Sequence, residues 1–418
     1  MRRTIILLTL LCSQQSWAQS QSEQVLFRLI DAEKSALLAD PRLQAAQSRV
    51  DSSTASITAE GQLPDPQLRL ALLNMPTDSF DFNQEPMTQA FAGLKQSFPA
   101  GNTLAVKKAI AESEVSMKKA SLETQRSIVL RELRQRWLNV YSSKSELVLI
   151  QQERSILDSM IPAATGAYRA GKGTQTDVVK IKLKLATLSE NEAALKGENS
   201  KSRASLQQWF DSVNTRHWPD DLPASLINAP QQTTHNQIGS NLIEHNPELI
   251  ELSAQIKTSE EKVELARQAY KPTWGVEASY GYRESRADFV SLGLTVSLPV
   301  FESTRQDHRL KASKANLVAA QLDKQHLQKE LNTRLAKTYA SITALDSRIS
   351  VYENDILPEL RRIKTLTKYD FRVGKTTFSN ILQAEEALLK AKRKQLLLTL
   401  ERANKIIDIR FISGEPQS

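Results

Sequence analysis

The residues that could do chemistry in this chain of 418 residues are five histidines, a glycine-rich segment and two pairs of adjacent carboxylates. The histidines are His217, His235, His245, His308 and His326. No two of them are three or four residues apart, the spacing that places two imidazoles on one helix face within reach of one metal ion. Surface histidines on solvated helices are the simpler interpretation, so the sequence predicts no metal site and no cofactor.

The glycine-rich segment Gly171-Lys172-Gly173-Thr174 does not have the spacing of a phosphate-binding loop. That loop needs Gly, four residues and Gly-Lys-Ser/Thr after a strand, whereas this segment follows a helical pattern. The carboxylate pairs are Glu260 with Glu261 and Glu385 with Glu386, and adjacent helix positions point in different directions. We interpret them as solvated helix faces. With no converging catalytic group, the chain is predicted not to be an enzyme.

Composition and charge narrow the class of protein. The chain is 40% hydrophobic and 24% charged, which is typical of a globular protein, and 13 Gly with 15 Pro indicate few turns and long elements. The formal net charge of +8 is spread over mixed lysine, arginine and acidic positions without a block of like charge. No nucleic-acid partner is predicted.

Residues 1–18 have the three-part pattern of a secretory signal peptide. Arg2 and Arg3 precede a short apolar run, and small residues at Ser16 and Ala18 mark a cleavage site after Ala18. The apolar run is too short to cross a hydrocarbon core about 30 Å thick. Cys12 is the only cysteine and lies in the removed part, so the exported chain is predicted to have no disulfide.

Self-similarity shows that the chain is two related halves. The glycine turns at Gly171 and Gly374, the dipeptides at Asp40 and Asn246 with their following prolines, and the ends of two predicted strands recur in the same order. We predict a first repeat over 19–217, a Pro- and Gln-rich linker over 218–236, a second repeat over 237–413 and a tail over 414–418.

Each half contains a segment where the hydrophobic period changes to two, which predicts strand pairs within 66–100 and 273–300. The clearest apolar face comprises Val290, Leu292, Leu294, Val296 and Leu298. Membrane-spanning strands and an ordinary sheet facing a core both fit this alternation. Four strands cannot close a barrel, so a membrane location would require several chains.

Long helices follow each strand pair. The stretch from Asn102 to Pro162 has no internal Gly or Pro, which as one helix would extend roughly 90 Å. The corresponding stretch before Pro358 has apolar residues at coiled-coil spacing. We predict antiparallel coiled-coil hairpins over 102–213 and 303–411, with helices ending near the two prolines and Gly171 and Gly374 at the tips.

In this arrangement the chain resembles the TolC family of bacterial outer-membrane efflux proteins. The resemblance rests on the signal peptide, the duplication, the turns AYRAGKGTQTDVV and FRVGKTTFSNIL, and the strand ends Phe98-Pro99 and Leu298-Pro299. It implies a mainly α fold with a small β part. Each chain of a homotrimer would give four strands to one twelve-stranded barrel in outer-membrane lipid, continuous with a periplasmic α-helical barrel.

The resemblance also implies a function. The protein would be the passive exit duct of a tripartite efflux system, carrying small molecules or metal ions delivered by an inner-membrane pump and a periplasmic adaptor. The stretch Asn74-Met75-Pro76 to Gln96-Ser97-Phe98-Pro99 looks like the branch that partners heavy-metal pumps of the RND type. Two alternatives stay open: a periplasmic coiled-coil adaptor or scaffold, and an outer-membrane duct for type I protein secretion.

Site residues follow from the same resemblance. Those expected to dock the adaptor at the hairpin tips are Gly171, Lys172, Gly173, Thr174, Gly374, Lys375 and Thr376. Those expected at a gate near the periplasmic end are Asp177, Phe371, Asn380 and Gln383, with Asp177 near Phe371. Relatives often have a tyrosine in place of Phe371 and acidic residues in place of Asn380 and Gln383, so the gate is expected to differ here.

Overall fold

The computed structural model describes residues 26–171, 173–211, 213, 216–230 and 240–414. The predicted signal peptide over 1–18 lies outside the described residues. The same holds for Lys172, His235, the 231–236 part of the predicted linker and the end of the tail from 415.

The first half begins with two helices separated by a capping residue. Helix α1 spans Leu29–Ala39 and α2 spans Pro41–Glu60. Asp40 caps α2 by accepting a hydrogen bond from the backbone amide of Arg42 at 2.8 Å, and Pro41 fits the first turn, where no amide partner is needed. Strands β1 (Gln67–Leu73) and β2 (Gln89–Phe98) follow, then the hairpin of α3 (Thr103–Arg169) and α4 (Gln175–Ala204).

The second half repeats this order. After the short helices α5 (Ala224–Ile227) and α6 (Ser240–Ile243), α7 spans Pro247–Gln268 and is capped by Asn246. Strands β3 (Trp274–Tyr282) and β4 (Phe289–Val296) come next. The second hairpin consists of α8 (Asp307–Val351), α9 (Leu357–Arg372) and α10 (Phe378–Ser413). No described helix is both long and apolar enough to span a bilayer.

The four strands form one antiparallel sheet in the order β1-β2-β3-β4, so the two halves join where β2 pairs with β3. The register aligns apolar residues in rows across one face. One row contains Leu68, Leu94, Ala278 and Leu292, and the next contains Leu70, Ala92, Tyr280 and Val290. On the opposite face Lys95 lies directly across from Glu277. The prediction of two strand pairs with one apolar face is confirmed.

The largest core of the first half is aromatic and lies where α1, α3 and the segment after α4 meet. The rings of Phe27 and Phe210 meet edge-on with centroids 5.1 Å apart. The indole nitrogen of Trp137 donates to the carbonyl of Phe27 at 3.1 Å. Trp218, at the start of the predicted linker, is only 3% exposed and packs in the same core. The described part of this connector is therefore packed rather than free.

The two hairpins differ at the prolines predicted to lie near helix ends. In the first, α3 continues through Pro162 to Arg169, with Met160 and Ala164 buried on either side. In the second, a π-helical turn over Tyr352–Ile356 interrupts the helix, and Pro358 lies in the first turn of α9. Another π-helical turn, Glu302–Gln306, precedes α8. A π turn inserts an extra residue, and the sequence pattern gave no sign of either one.

Candidate functional site

The first hairpin tip is a tight turn closed by a capping box. Gly171 has φ +68°, a left-handed conformation that suits glycine, and a side chain added there would meet nothing within 4 Å. The carboxylate of Asp177 accepts hydrogen bonds from the backbone amide of Thr174 at 3.0 Å and from its hydroxyl at 2.9 Å. The Thr174 hydroxyl in turn accepts from the Asp177 amide. Both side chains hold the start of α4.

The second tip has the same backbone shape but a weaker cap. Gly374 has φ +77°, and the amide of Lys375 donates to the carbonyl of Asp370 at 2.8 Å. Thr377 precedes α10 and provides no side-chain cap, and the side-chain amide of Asn380 donates to the hydroxyl of Thr376 at 2.7 Å. Both tips are open to solvent, as a docking surface requires.

The predicted gate residues lie near an apolar cluster shared by both hairpins, formed by Ile150, Leu157, Met160, Ala164, Ile181, Leu188, Phe378 and Ile381. Phe371 packs against this cluster and meets Phe378 edge-on at 5.7 Å. Asn380 and Gln383 are exposed. The carboxylate of Asp177 is bonded within its own turn, so its predicted proximity to Phe371 stays a prediction.

Ion pairs join the two hairpins above this cluster. Arg393 on α10 contacts Glu146 on α3 at 2.7 Å, and Lys184 on α4 contacts Glu386 on α10 at 2.6 Å. They border a cavity of about 260 Å³ that also contains Glu153. Burial raises the pKa of the Glu153 carboxyl, and Glu386 raises it further, although Lys184 and Arg393 act in the opposite direction.

The prediction that Glu385 and Glu386 both lie on a solvated helix face is wrong for Glu385. Glu385 is 2% exposed because α9 packs over this face of α10. Its two oxygens lie 2.8 Å from the ammonium groups of Lys364 and Lys368, one turn apart on α9. Glu386 is exposed, as expected, and pairs with Lys184. No local pattern marks these partners, because the carboxylates lie on α10 whereas Lys364 and Lys368 lie on α9 and Lys184 lies on α4.

The apolar face of the sheet is uncovered along its length. Leu292 is 82% exposed, and Val290, Leu294 and Val296 are also exposed. Leu298, predicted to belong to the same strand, follows the last residue of β4 and is exposed as well. On the other face the guanidinium of Arg69 lies 5.5 Å from the centre of the Phe91 ring. One apolar face and one face with charged residues is the pattern of membrane-spanning strands, so the lipid contact predicted for Val290 to Leu298 stays a prediction.

The described residues contain no cluster of three or more potential metal ligands. His217 pairs through its backbone with Leu26, and the carbonyl of His217 accepts from the amide of Phe27 at 2.7 Å. His308 is exposed on α8. The features that distinguish this structure are therefore an exposed apolar sheet and two long helical hairpins with open tips.

That architecture defines a class, and the sequence matches the model of the outer membrane efflux protein family over residues 33–210 and 238–415. The two matched stretches correspond to the two repeats and cover most of the chain, so the chain belongs to this family. As a member, it is an outer-membrane protein that extends into the periplasm.

Individual relatives are distant. The chain is 20% identical to the outer membrane efflux protein BepC of Brucella suis biovar 1 (strain 1330), over 67% of this chain and 62% of BepC. It is 18% identical to the outer membrane protein TolC of Salmonella enteritidis, over 68% of this chain and 60% of TolC. The chain thus spans about six tenths of the length of these relatives.

Solved structures share the fold more completely. CusC superposes with a TM-score of 0.78 at 14% identity, covering 94% of this chain and 93% of CusC. VceC of Vibrio cholerae superposes with a TM-score of 0.75 at 16% identity, covering 92% of this chain and 96% of VceC. The predicted class, mainly helical with a small sheet and a two-fold repeat, is confirmed.

Proposed function

We propose that this protein is the outer-membrane channel of a tripartite efflux system, a passive exit duct for small molecules or metal ions. The observation that carries the proposal is the four-stranded sheet, whose apolar face is exposed along every strand. Its edge strands β1 and β4 each pair on one side only, and among the described residues no strand pairs with their outer edges. In water such a face and such edges would favour aggregation.

Both problems disappear if three copies close one barrel in lipid. Three chains of four strands supply twelve, each edge strand pairs with its neighbour's, and every backbone amide is satisfied without water. The apolar rows around Leu292 then face lipid, and Lys95 and Glu277 face an aqueous lumen. Homotrimer, barrel and lipid contact are parts of one proposal.

The hairpins extend this lumen into the periplasm. As one continuous helix of 67 residues, α3 is about 100 Å long, far longer than a bilayer is thick. The tips around Gly171 and Gly374 are open to solvent, and we assign to them the docking of a periplasmic adaptor. The adaptor would in turn connect the channel to an inner-membrane pump of RND type. Asp177, Phe371, Asn380 and Gln383 would form the gate. No step requires a catalytic residue.

Fractionation of the producing bacterium, followed by native mass measurement of the detergent-extracted protein, tests this proposal. The expected result is a heat-dissociable trimer in the outer membrane that conducts ions in planar bilayers. A soluble periplasmic monomer would contradict the channel and favour a coiled-coil adaptor. A trimer whose deletion stops export of a protein, without sensitising cells to metals or drugs, would indicate a type I secretion duct.

A further inference from the structure

A groove of about 530 Å³ lies on the periplasmic part of the structure where α3, α9, α10 and the connector after Trp218 meet. It is separate from the lumen-facing strands and from the hairpin tips. We propose that this groove binds a single-chain amphipathic anion, a fatty-acid carboxylate with its acyl chain on the groove floor. The site goes beyond the duct function and does not depend on the substrate that is exported.

The wall of the groove is fixed by hydrogen bonds that use every donor of Lys144. Its ammonium donates to the carbonyls of Trp218 at 2.9 Å and Pro219 at 3.1 Å and contacts the Asp220 carboxylate at 2.7 Å. The hydroxyl of Tyr141 donates to the carbonyl of Asp220 at 2.8 Å. These bonds hold the connector against α3, so the groove is preformed and Lys144 has no donor left for a ligand.

The floor of the groove is apolar. Leu149 and Val148 come from α3, Leu222 from the connector, Leu357 from α9 and Leu396 from α10. Leu357 is buried, and Leu222 and Leu396 pack against the aromatic core. Val148 is 43% exposed beside them. An acyl chain laid along these side chains would remove this apolar surface from water, which is favourable.

Two cations line the same groove without a carboxylate partner among the described residues. Arg361 on α9 and Lys392 on α10 form none of the ion pairs found in this part of the chain. Neighbouring cations differ, because Lys364 pairs with Glu385 and Arg393 pairs with Glu146. Lys392 is also partly buried. With Asp220 bound to Lys144, the free charge in the groove is positive.

Positive charge above an apolar floor selects an anion with a hydrocarbon tail. A carboxylate or phosphate would accept charge-assisted hydrogen bonds from Arg361 and Lys392, whereas a neutral amphiphile could use only the floor. The volume lies in the lower half of the roughly 300–1,000 Å³ range of small-molecule pockets. This size favours one acyl chain over the two chains of a phospholipid.

The test uses a fatty acid that carries a photoreactive diazirine, added to outer membranes that contain the full protein. After illumination, labelled peptides are mapped by mass spectrometry. We expect labelling around Leu149 and Leu396 in addition to the strand peptide around Leu292, which the proposed lipid contact would label in every sample. Unlabelled dodecanoate should compete for the groove peptides, and neutral monododecanoyl glycerol should compete at least about tenfold less well.

The variant Arg361→Gln with Lys392→Gln should lose labelling of the groove peptides by about tenfold or more and keep labelling of the strand. The matched control, Arg362→Gln with Lys394→Gln, removes the same charge from the same helices outside the groove and should label like the parent protein. Trimer mass is measured for both, and the single variants Arg361→Gln and Lys392→Gln replace the double variant if it does not assemble.

Four outcomes would overturn the proposal. Absence of labelling in the groove peptides would remove the site. Equal competition by the neutral glyceride, or equal loss in the control variant, would show that the groove has no preference for an anion. Displacement by phosphatidylglycerol vesicles but not by dodecanoate would make the occupant a phospholipid. If strand labelling is also absent, the proposed channel fails, which is distinguishable from failure of the groove alone.

Discussion

The guanidinium of Arg393 lies 2.7 Å from the carboxylate of Glu146 and joins the second repeat to the first. The two side chains are unequally buried, with 50% of Arg393 and 11% of Glu146 exposed. Removal of either partner should therefore have different costs, because only the carboxylate would be left unpaired in a poorly hydrated place.

Arg393→Met should lower the free energy of unfolding of the helical part by about 1–3 kcal/mol. Glu146→Gln should cost less than about 1 kcal/mol, since the freed guanidinium reaches water. Chemical unfolding of the detergent-extracted protein, followed by circular dichroism, measures both. Lys394→Met, an exposed cation near the same position, is the control and should change little. Equal losses in both variants would contradict the unequal burial.

Glu153 should make the hairpins less stable at neutral pH than in mild acid. Burial raises its pKa above the ordinary 4.5, so the folded state binds this proton more tightly than the unfolded state. Glu153→Gln should therefore raise the unfolding temperature near neutral pH. The gain should shrink as the pH falls through the raised pKa and vanish below the unfolded value of about 4.5.

Glu192 on α4 has a lowered pKa, whereas that of Glu153 on α3 is raised. Its hydrogen bond to Lys196, with the nearby charge of Arg154, lowers its pKa below 4.5. A lowered pKa means that the ionised form stabilises the fold above the unfolded value and that this contribution is lost as the pH falls through the folded value. Glu192→Gln should therefore lower the unfolding temperature near neutral pH. Gains of the same sign in both variants would refute these assignments.

Leu292→Arg should prevent assembly in the outer membrane, whereas Ser291→Arg should permit it. These neighbours on β4 point to opposite faces of the sheet, and an arginine facing lipid near the bilayer centre costs about 2–4 kcal/mol. The yield of heat-dissociable trimer in outer-membrane fractions measures the difference. Similar yields for both variants would mean that the apolar face does not contact lipid.

Gly171→Val should abolish export while the trimer remains intact. The φ of +68° at this tip is strongly unfavourable for a β-branched residue, so valine would distort the turn. Export should be lost because the tip is proposed to dock the adaptor. Gly171→Asn, which tolerates a left-handed conformation, should keep export. Growth of cells challenged with metals or drugs reports export. Loss of the trimer in Gly171→Val would indicate that the glycine has only a structural role.

Gly414→Ala should destabilise the protein more than Gly171→Ala. Both glycines have positive φ, yet a side chain at Gly414 would come within 2.3 Å of the carbonyl oxygen of His245, whereas Gly171 lies in open space. The strain of φ alone costs about 1–2 kcal/mol, and the contact at Gly414 adds to it. Thermal unfolding of the two variants compares them directly.

The sequence predicted elements well where local chemistry decides them. Alternation around Leu292 predicted a strand with an apolar face, and the absence of Gly and Pro after Asn102 predicted a long helix. Asp40 and Asn246 with their following prolines marked helix starts, and the structure caps both helices there. In these cases the backbone preference and the hydrophobic period agree.

Prediction from the sequence was less complete where contacts in the folded chain decide the structure. Pro162 is predicted to lie near a helix end, but α3 continues through it to Arg169, with Met160 and Ala164 buried on either side. The composition of the connector that begins at Trp218 predicts a linker, but in the structure the Trp218 indole packs in the aromatic core. Partners such as Arg393 with Glu146 belong to different repeats, and no spacing in the sequence connects them.

The pairing of β2 with β3 also determines how the chain must reach its fold. Phe98 pairs with Trp274, so the central strands come together only after the first long hairpin and α7, which lie between them, have been exported. Contacts so distant in sequence form slowly, and meanwhile the apolar strand faces have no lipid to cover them. We therefore expect the protein to depend on a periplasmic chaperone that holds it unfolded until insertion.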